Sequence, residues 1–297
     1  MGIGIKFGII LQGNKRNGWR LTELLQKGDF IKMSMTRKCM NPWKGIEEDS
    51  LFKVAEVDKI YFDNLPKKAE SKIRNLKLDV YPQHFVGDIE NASILILSLN
   101  PGYNDEYKES YDKNIDYQNI IKNNLELSNP RFHAFDLSTE NNLGYWGEKL
   151  KHWIIDKEFK DKNKNNHIID SLKKLGNNIA LAEFFPYHSV SYDNWFDKIP
   201  TKVKKDKRDK RQYLPTQDFL FNIIRERIKK GDVTIILTRA FKKWYEAIPE
   251  LENYEQCYEV SNPNNPSLKT HLIFKVKRES VQTDLDNLLW TINQDKK

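Results

Sequence analysis

The chain has 297 residues, 39% hydrophobic and 31% charged, enough apolar material for one large α/β domain or two small ones. A net charge of +7 and an isoelectric point near 9.0 suit an anionic partner such as nucleic acid, although a Lys- and Asn-rich composition produces the same excess by itself. The two cysteines, Cys39 and Cys257, exclude an iron–sulfur cluster or a four-thiolate zinc site held by this chain alone. With no secretion signal and no apolar run of membrane-spanning length, the expectation is a cytoplasmic protein.

In chain order, residues 1–75 read as an N-terminal extension, with helix-like spacing from Glu47 to Phe62 carried by Leu51, Val54, Val57 and Phe62. The domain proper is expected over residues 76–297. Tyr81–Asp88 reads as a loop or a short extended piece. The run Ile94–Leu99, closed by Asn100-Pro101-Gly102, has the form of a strand buried on both faces. The same form recurs where Ile179–Ala182 runs into Glu183–His188, where Val233–Leu237 runs into Thr238-Arg239, and more weakly at Cys257–Val260 before Ser261-Asn262-Pro263. Helical spacing is predicted over His167–Leu175, Thr216–Lys229 and Phe241–Ile248. The charge run Lys202–Arg211, with Lys204 and Lys205, is either a solvated loop or a loop that tracks phosphates. Strands alternating with helices predict an α/β fold of three layers, α/β/α, around a central, mostly parallel four-stranded sheet. In such sheets the ligand crevice lies off the carboxyl ends of the strands.

Three segments, in order and at strand ends, resemble the uracil-DNA glycosylase superfamily. Leu97-Ser98-Leu99-Asn100-Pro101-Gly102-Tyr103, preceded by Phe85-Val86-Gly87-Asp88, is similar to the first motif in its Asn-Pro-Gly form. Ile179–Phe184 with Phe185-Pro186-Tyr187-His188 sits where the family carries its base-reading strand. Ser261-Asn262-Pro263-Asn264-Asn265-Pro266-Ser267-Leu268 is similar to the second catalytic motif and its wedge loop. The resemblance covers about residues 81–275. Each motif alone has low specificity, and the absence of four cysteines sets the chain apart from the cluster-bearing branches.

What the resemblance implies is a protein that flips a base out of DNA and cuts its N-glycosidic bond. By that analogy Asn100 orients the water that attacks the oxocarbenium-like sugar, Asn265 donates to the departing base, and His188 is a further candidate. Gly102 lets the backbone approach the base, with Tyr103, Glu183, Phe185 and Tyr187 around it. Leu268 would fill the hole left by the base, while Ser267, Lys269, Lys204, Lys205 and Arg239 would contact the strand. Structural readings stand beside these: Asn100 as a turn cap, His188 as scaffold, Leu268 as core.

At the base-reading position many members carry Asn, whereas this chain has Glu183. An ionised carboxylate only accepts hydrogen bonds, so it fits an exocyclic amine and repels the carbonyl of uracil. That points to a modified cytosine, and relatives in the superfamily remove such bases from phage DNA as a defence. The expectation is therefore a monomeric DNA glycosylase without cofactor or metal. The alternatives are a non-catalytic binding module on the same fold, or a metal nuclease using Asp88, Asp105 and Glu183.

Overall fold

The four apolar runs form the parallel centre of a sheet in the computed structural model, which describes residues 40–47, 50–136, 138, 142–154, 165–202, 212–275 and 282–294. In chain order the elements are α1 (Glu56–Asp63), α2 (Glu70–Ile73), β1 (Leu76–Lys77), β2 (Phe85–Val86), β3 (Ile94–Ser98), α3 (Asp105–Lys113), α4 (Ile115–Glu126), α5 (Gly144–Leu150), α6 (Asn165–Leu175), β4 (Ile179–Glu183) and β5 (His188–Ser189). They continue with α7 (Ile199–Lys202), α8 (Pro215–Lys230), β6 (Thr234–Leu237), α9 (Phe241–Ala247), β7 (Cys257–Val260), β8 (Ile273–Lys275) and α10 (Gln282–Gln294).

The sheet has six strands in the order β2-β4-β3-β6-β7-β8, not the four expected. The inner four pair in parallel, and β2 and β8 close the two edges in antiparallel fashion. Segments of two and three residues are too short to display a period, which is why both edge strands escape a reading by pattern. A separate ribbon pairs β1 with β5.

Alternate residues of the inner strands enter two different cores. Leu95, Leu97, Ala180, Ala182, Ile235 and Leu237 join Leu220 and Ile224 of α8 and Trp244 of α9 on one face. Ile94, Ile96, Ile179, Leu181 and Ile236 join Leu150 of α5, Leu172 of α6 and Leu289 of α10 on the other. Helices thus flank the sheet on both faces, and each fully buried Leu or Ile contributes on the order of 1.5–3 kcal/mol.

Residues 40–75 belong to this body rather than to an extension: Trp43, Ile46, Val54, Ala55 and Tyr61 are all buried in the first core, and Cys39–Lys297 forms one compact unit. The helix expected from Glu47 begins only at Glu56, with Lys53, Val54 and Ala55 buried ahead of it. Asp58 of α1 anchors the segment. Its carboxylate is fully buried and accepts from Tyr187 Oη at 2.7 Å and Thr216 Oγ1 at 2.6 Å.

Helices α3 and α4, not expected from the sequence, each start on an asparagine cap. Asn104 accepts from the Tyr107 amide at 2.7 Å and Asn114 from the Tyr117 amide at 3.0 Å. Among the described residues no helix is long and apolar enough to cross a membrane.

Candidate functional site

The carboxyl ends of β3, β4, β6 and β7 bring the motif residues to one end of the sheet. After β3 the chain turns through Asn100-Pro101-Gly102, and the segment after β4 follows it closely. The Phe184, Phe185 and Ser189 amides donate to the carbonyls of Ser98, Leu99 and Pro101 at 3.3, 2.8 and 3.2 Å.

This docking fixes Asn100. Its Nδ2 donates to Pro101 O at 2.9 Å and to Ser189 Oγ at 2.7 Å. Pro101 O can only accept, so the amide nitrogen is assigned without ambiguity. Both donors are committed, the residue is half-buried, and Oδ1 remains as a directed acceptor. An acceptor held this way can align a water, since it takes one water proton and leaves the oxygen lone pair to point elsewhere. Gly102 is exposed, and a β-carbon added there would meet nothing within 4 Å. The fold itself has no steric need for glycine at this point, and the bare backbone faces open space.

His188 is part of the support. Its Nδ1 donates to Gly102 O at 2.8 Å, and its Nε2 lies 3.2 Å from Tyr107 Oη, which in turn receives Gln83 Nε2 at 3.0 Å. The ring stacks on Tyr107 at 4.7 Å and is buried, and burial pushes its pKa down to about 4. It is therefore neutral at physiological pH with both nitrogens engaged. This corrects its expected part in the chemistry, because a buried ring with no free nitrogen supports the turn and does not reach a substrate. Tyr103 is half-exposed beside the turn, edge-on to Tyr107 at 6.0 Å with Lys77 Nζ 5.3 Å from its ring centre.

Phe185 and Tyr187 do not line the crevice. Phe185 stacks on Phe196 at 5.4 Å and Tyr187 reaches Asp58, both with about 1% exposure in the first core. Apolar bulk just after a buried strand folds inward, which removes both from the expected base contacts.

Glu183, the last residue of β4, pairs in register with Ser98 and is 5% exposed. Oε2 of its carboxyl group is buried and has no hydrogen-bond partner among the described residues. Burial raises its pKa to about 8, outweighing the opposing pull of Ser98 and of the Arg239 charge. At neutral pH the group is consequently a carboxylic acid with one donor. That removes the ground for expecting an acceptor-only carboxylate selective for an amine.

A cleft of about 560 Å³ opens beside the turn, lined by Leu99, Arg239 to Lys243, Glu246, Pro263 and Asn264. Lys243 pairs with Asp197 and Lys242 with Glu246, whereas the Arg239 guanidinium has no hydrogen-bond or ion-pair partner among the described residues. Ala240 beside it holds φ 56° and ψ 34°, a left-handed conformation uncommon outside glycine and asparagine.

The third motif is only partly at the cleft. Asn262 Oδ1 accepts from the Asn264 and Asn265 amides at 3.0 and 3.3 Å, making a tight turn that places Pro263 and Asn264 on the cleft wall. Asn265 is exposed, and its Oδ1 receives Lys149 Nζ at 3.4 Å. Asn264, not singled out from sequence, is the asparagine that lines the cleft. Leu268 is 1% exposed in the second core, and its carbonyl accepts from Trp153 Nε1. The wedge expectation is corrected accordingly: this side chain is already buried. Ser267 is half-buried and Lys269 exposed; burial first, and then the charges of Lys269 and Lys151, lower the pKa of His152. Lys204 and Lys205 lie outside the described residues. Among the described residues no group of three or more His, Cys, Asp or Glu is placed to hold a metal ion, so Asp88, Asp105 and Glu183 do not form one.

Sequence reasoning missed Ser98 and Gln83 as well as Asn264. Ser98 had a signal, since it stands two residues before Asn100. Gln83 acts through contacts that no local pattern reveals. Family models, curated proteins and solved structures give no match to this chain.

Proposed function

We propose that the chain is a DNA base glycosylase that binds an extruded base at the carboxyl end of the sheet and hydrolyses its N-glycosidic bond to leave an abasic site. The observation that carries this reading is the Asn100 amide, whose two donors are spent on Pro101 and Ser189 and whose oxygen is free to hold a water. An amide is a weak base, but water needs little activation against a sugar already close to an oxocarbenium ion. The motif order along the chain, Arg239 at the cleft with no ion-pair partner among the described residues, and the net charge of +7 support a polyanionic partner. A modified cytosine in phage DNA stays within the proposed substrate range, as does uracil now that Glu183 is neutral.

A second reading is a binding module on the same fold that does not cut. It is favoured by the third motif, where Asn265 is drawn to Lys149 and Leu268 is in the core. Base release separates the two. The full chain, without added metal, is incubated with DNA containing uracil, hydroxymethylcytosine or glucosylated hydroxymethylcytosine, and alkali-labile sites are measured against Asn100→Ala. Sites that form with the wild type and vanish in the variant support the glycosylase. Salt-sensitive binding with no abasic site on any substrate supports the binding module.

A further inference from the structure

Helix α5 carries an aromatic and basic face that neither reading uses. Leu143, Gly147, Leu150 and Trp153 turn inward and are buried, the three larger side chains in the second core. Tyr145, Glu148, Lys149 and His152 follow the i, i+3, i+4, i+7 spacing of the opposite face, with Lys149 half-buried and the other three exposed. Tyr145 is 52% exposed. Its ring meets that of Trp146 edge-to-face at 5.2 Å, and Lys149 Nζ lies 5.3 Å from its centre.

This face is tied to the loop that forms one wall of the cleft. Lys149 Nζ donates to Pro266 O at 2.6 Å and to Asn265 Oδ1 at 3.4 Å, and Trp153 Nε1 donates to Leu268 O. The same loop supplies Pro263 and Asn264 to the cleft, opposite Arg239. A continuous path therefore leads from the cleft over residues 263–266 to Lys149 and Tyr145. Its charge is of one sign. Residues 261–275 carry Lys269, His271 and Lys275 and no Asp or Glu, and Glu148, the one acid of α5, is held by Lys151 at 2.5 Å. Lys149 has no carboxylate partner among the described residues. An exposed tyrosine alone is ordinary. This one is set apart by the cation on its ring, the second ring beside it and the path to the cleft.

We propose that Tyr145 is a stacking platform for an unpaired base, and that α5 with residues 263–266 carries single-stranded DNA away from the cleft. The ligand follows from the chemistry of the face. An aromatic ring stacks only on a base whose own face is free, whereas a duplex covers those faces and offers edges and phosphates. Lys149, at the same ring, brings an ammonium with three N–H donors to the phosphate of that nucleotide. Trp146, packed against the second core, backs the tyrosine and limits the orientations of its ring. The inference rests on DNA as the partner, which both readings above share, and not on cleavage. It adds strandedness: the chain prefers DNA that is unpaired beside the cleft.

The test is equilibrium binding of the full chain to fluorescent single-stranded and duplex oligonucleotides of ordinary bases. Wild type is compared with Tyr145→Ala, Tyr145→Leu, Tyr145→Phe and Lys149→Gln, and a urea midpoint is recorded for each. Tyr145→Ala and Tyr145→Leu should weaken single-strand binding by about 5- to 150-fold, the loss of one base–aromatic stack. Tyr145→Phe keeps the ring and should bind like wild type. Duplex affinity and the urea midpoint should not move in any of the three, since the side chain is exposed. Lys149→Gln should lower the slope of log affinity against log salt on the single strand by about 0.7. The proposal is overturned by an alanine variant that binds single strands like wild type, by leucine serving as well as phenylalanine, by an equal loss on the duplex, or by an unchanged slope for Lys149→Gln. No wild-type binding to either form overturns it together with the DNA partner. Ring-dependent single-strand binding without base release in the assay above sinks the glycosylase reading alone and upholds the platform.

Discussion

The Asn100 amide donates to the Ser189 hydroxyl across 2.7 Å, joining the turn after β3 to strand β5. On the proposed reading the bond bears on chemistry as well as on folding, because it sets where Oδ1 points. Ser189→Ala should cost about 0.5–1.5 kcal/mol in urea unfolding, the ordinary worth of one hydrogen bond. It should slow base release by about tenfold, with DNA affinity unchanged, since a rotating amide misplaces the water. Rate unchanged alongside the stability loss would remove Asn100 orientation from the mechanism.

Glu183 should contribute to the pH dependence of stability. Its pKa is about 8 in the folded chain against 4.5 in the unfolded one. Below pH 4.5 both states are protonated and the group contributes nothing. Between the two values the unfolded state ionises while the folded state does not, so stability falls as pH rises, by roughly 1.4 kcal/mol per unit at the limit. Asp58, raised to about 6 by burial, works in the same direction over the lower part of that range. The difference between wild type and Glu183→Gln in urea midpoint should therefore widen from pH 5 to pH 8 in favour of the variant. Parallel curves would mean that the carboxyl is not neutral.

Asp58 joins α1 to the start of α8 and to Tyr187. Asp58→Ala removes the acceptor for two buried hydroxyls and should destabilise by about 2–4 kcal/mol at pH 7. Tyr187→Phe, which takes away only one donor, should cost about 1 kcal/mol. Chemical denaturation of the two variants measures the contrast.

Leu268→Ala tests the placement of the third motif. A core leucine lost to alanine costs about 2–5 kcal/mol, seen as a lower urea midpoint. A side chain that fills a gap in DNA would instead leave stability intact and weaken duplex binding.

Arg239→Gln should leave stability unchanged, since the guanidinium has no partner to lose within the described chain. Binding to DNA should weaken uniformly across sequences, and the slope of log affinity against log salt should drop by about one. An unchanged slope would put the phosphate path elsewhere.

Much of this was legible in the sequence because it depends on local pattern. The runs at Ile94, Ile179, Val233 and Cys257 had to be strands covered on both faces, and the Asn100 turn had to lie at a strand end. What could not be read depends on distant contacts. Whether Phe185 and Tyr187 face a crevice or the core is decided by packing on Phe196 and by the bond to Asp58, the latter far away in the chain. The charge state of Glu183 is decided by how dry its surroundings are, a property of three dimensions. Asn264 and Asn265 are neighbours of the same type, and only the turn built on Asn262 selects which one meets the cleft.

The two antiparallel strands that close the sheet are very short, β2 with two residues and β8 with three. A sheet edge is a template on which another chain can add a strand, and its hazard grows with the length of ladder it offers. Here the longer apolar strands are all interior, and the described margins are β2, buried at both residues, and the three residues of β8. A stray peptide or a sister molecule meeting either margin finds too few consecutive hydrogen bonds to register against. The molecule thereby keeps its most aggregation-prone segments out of reach of intermolecular β-pairing.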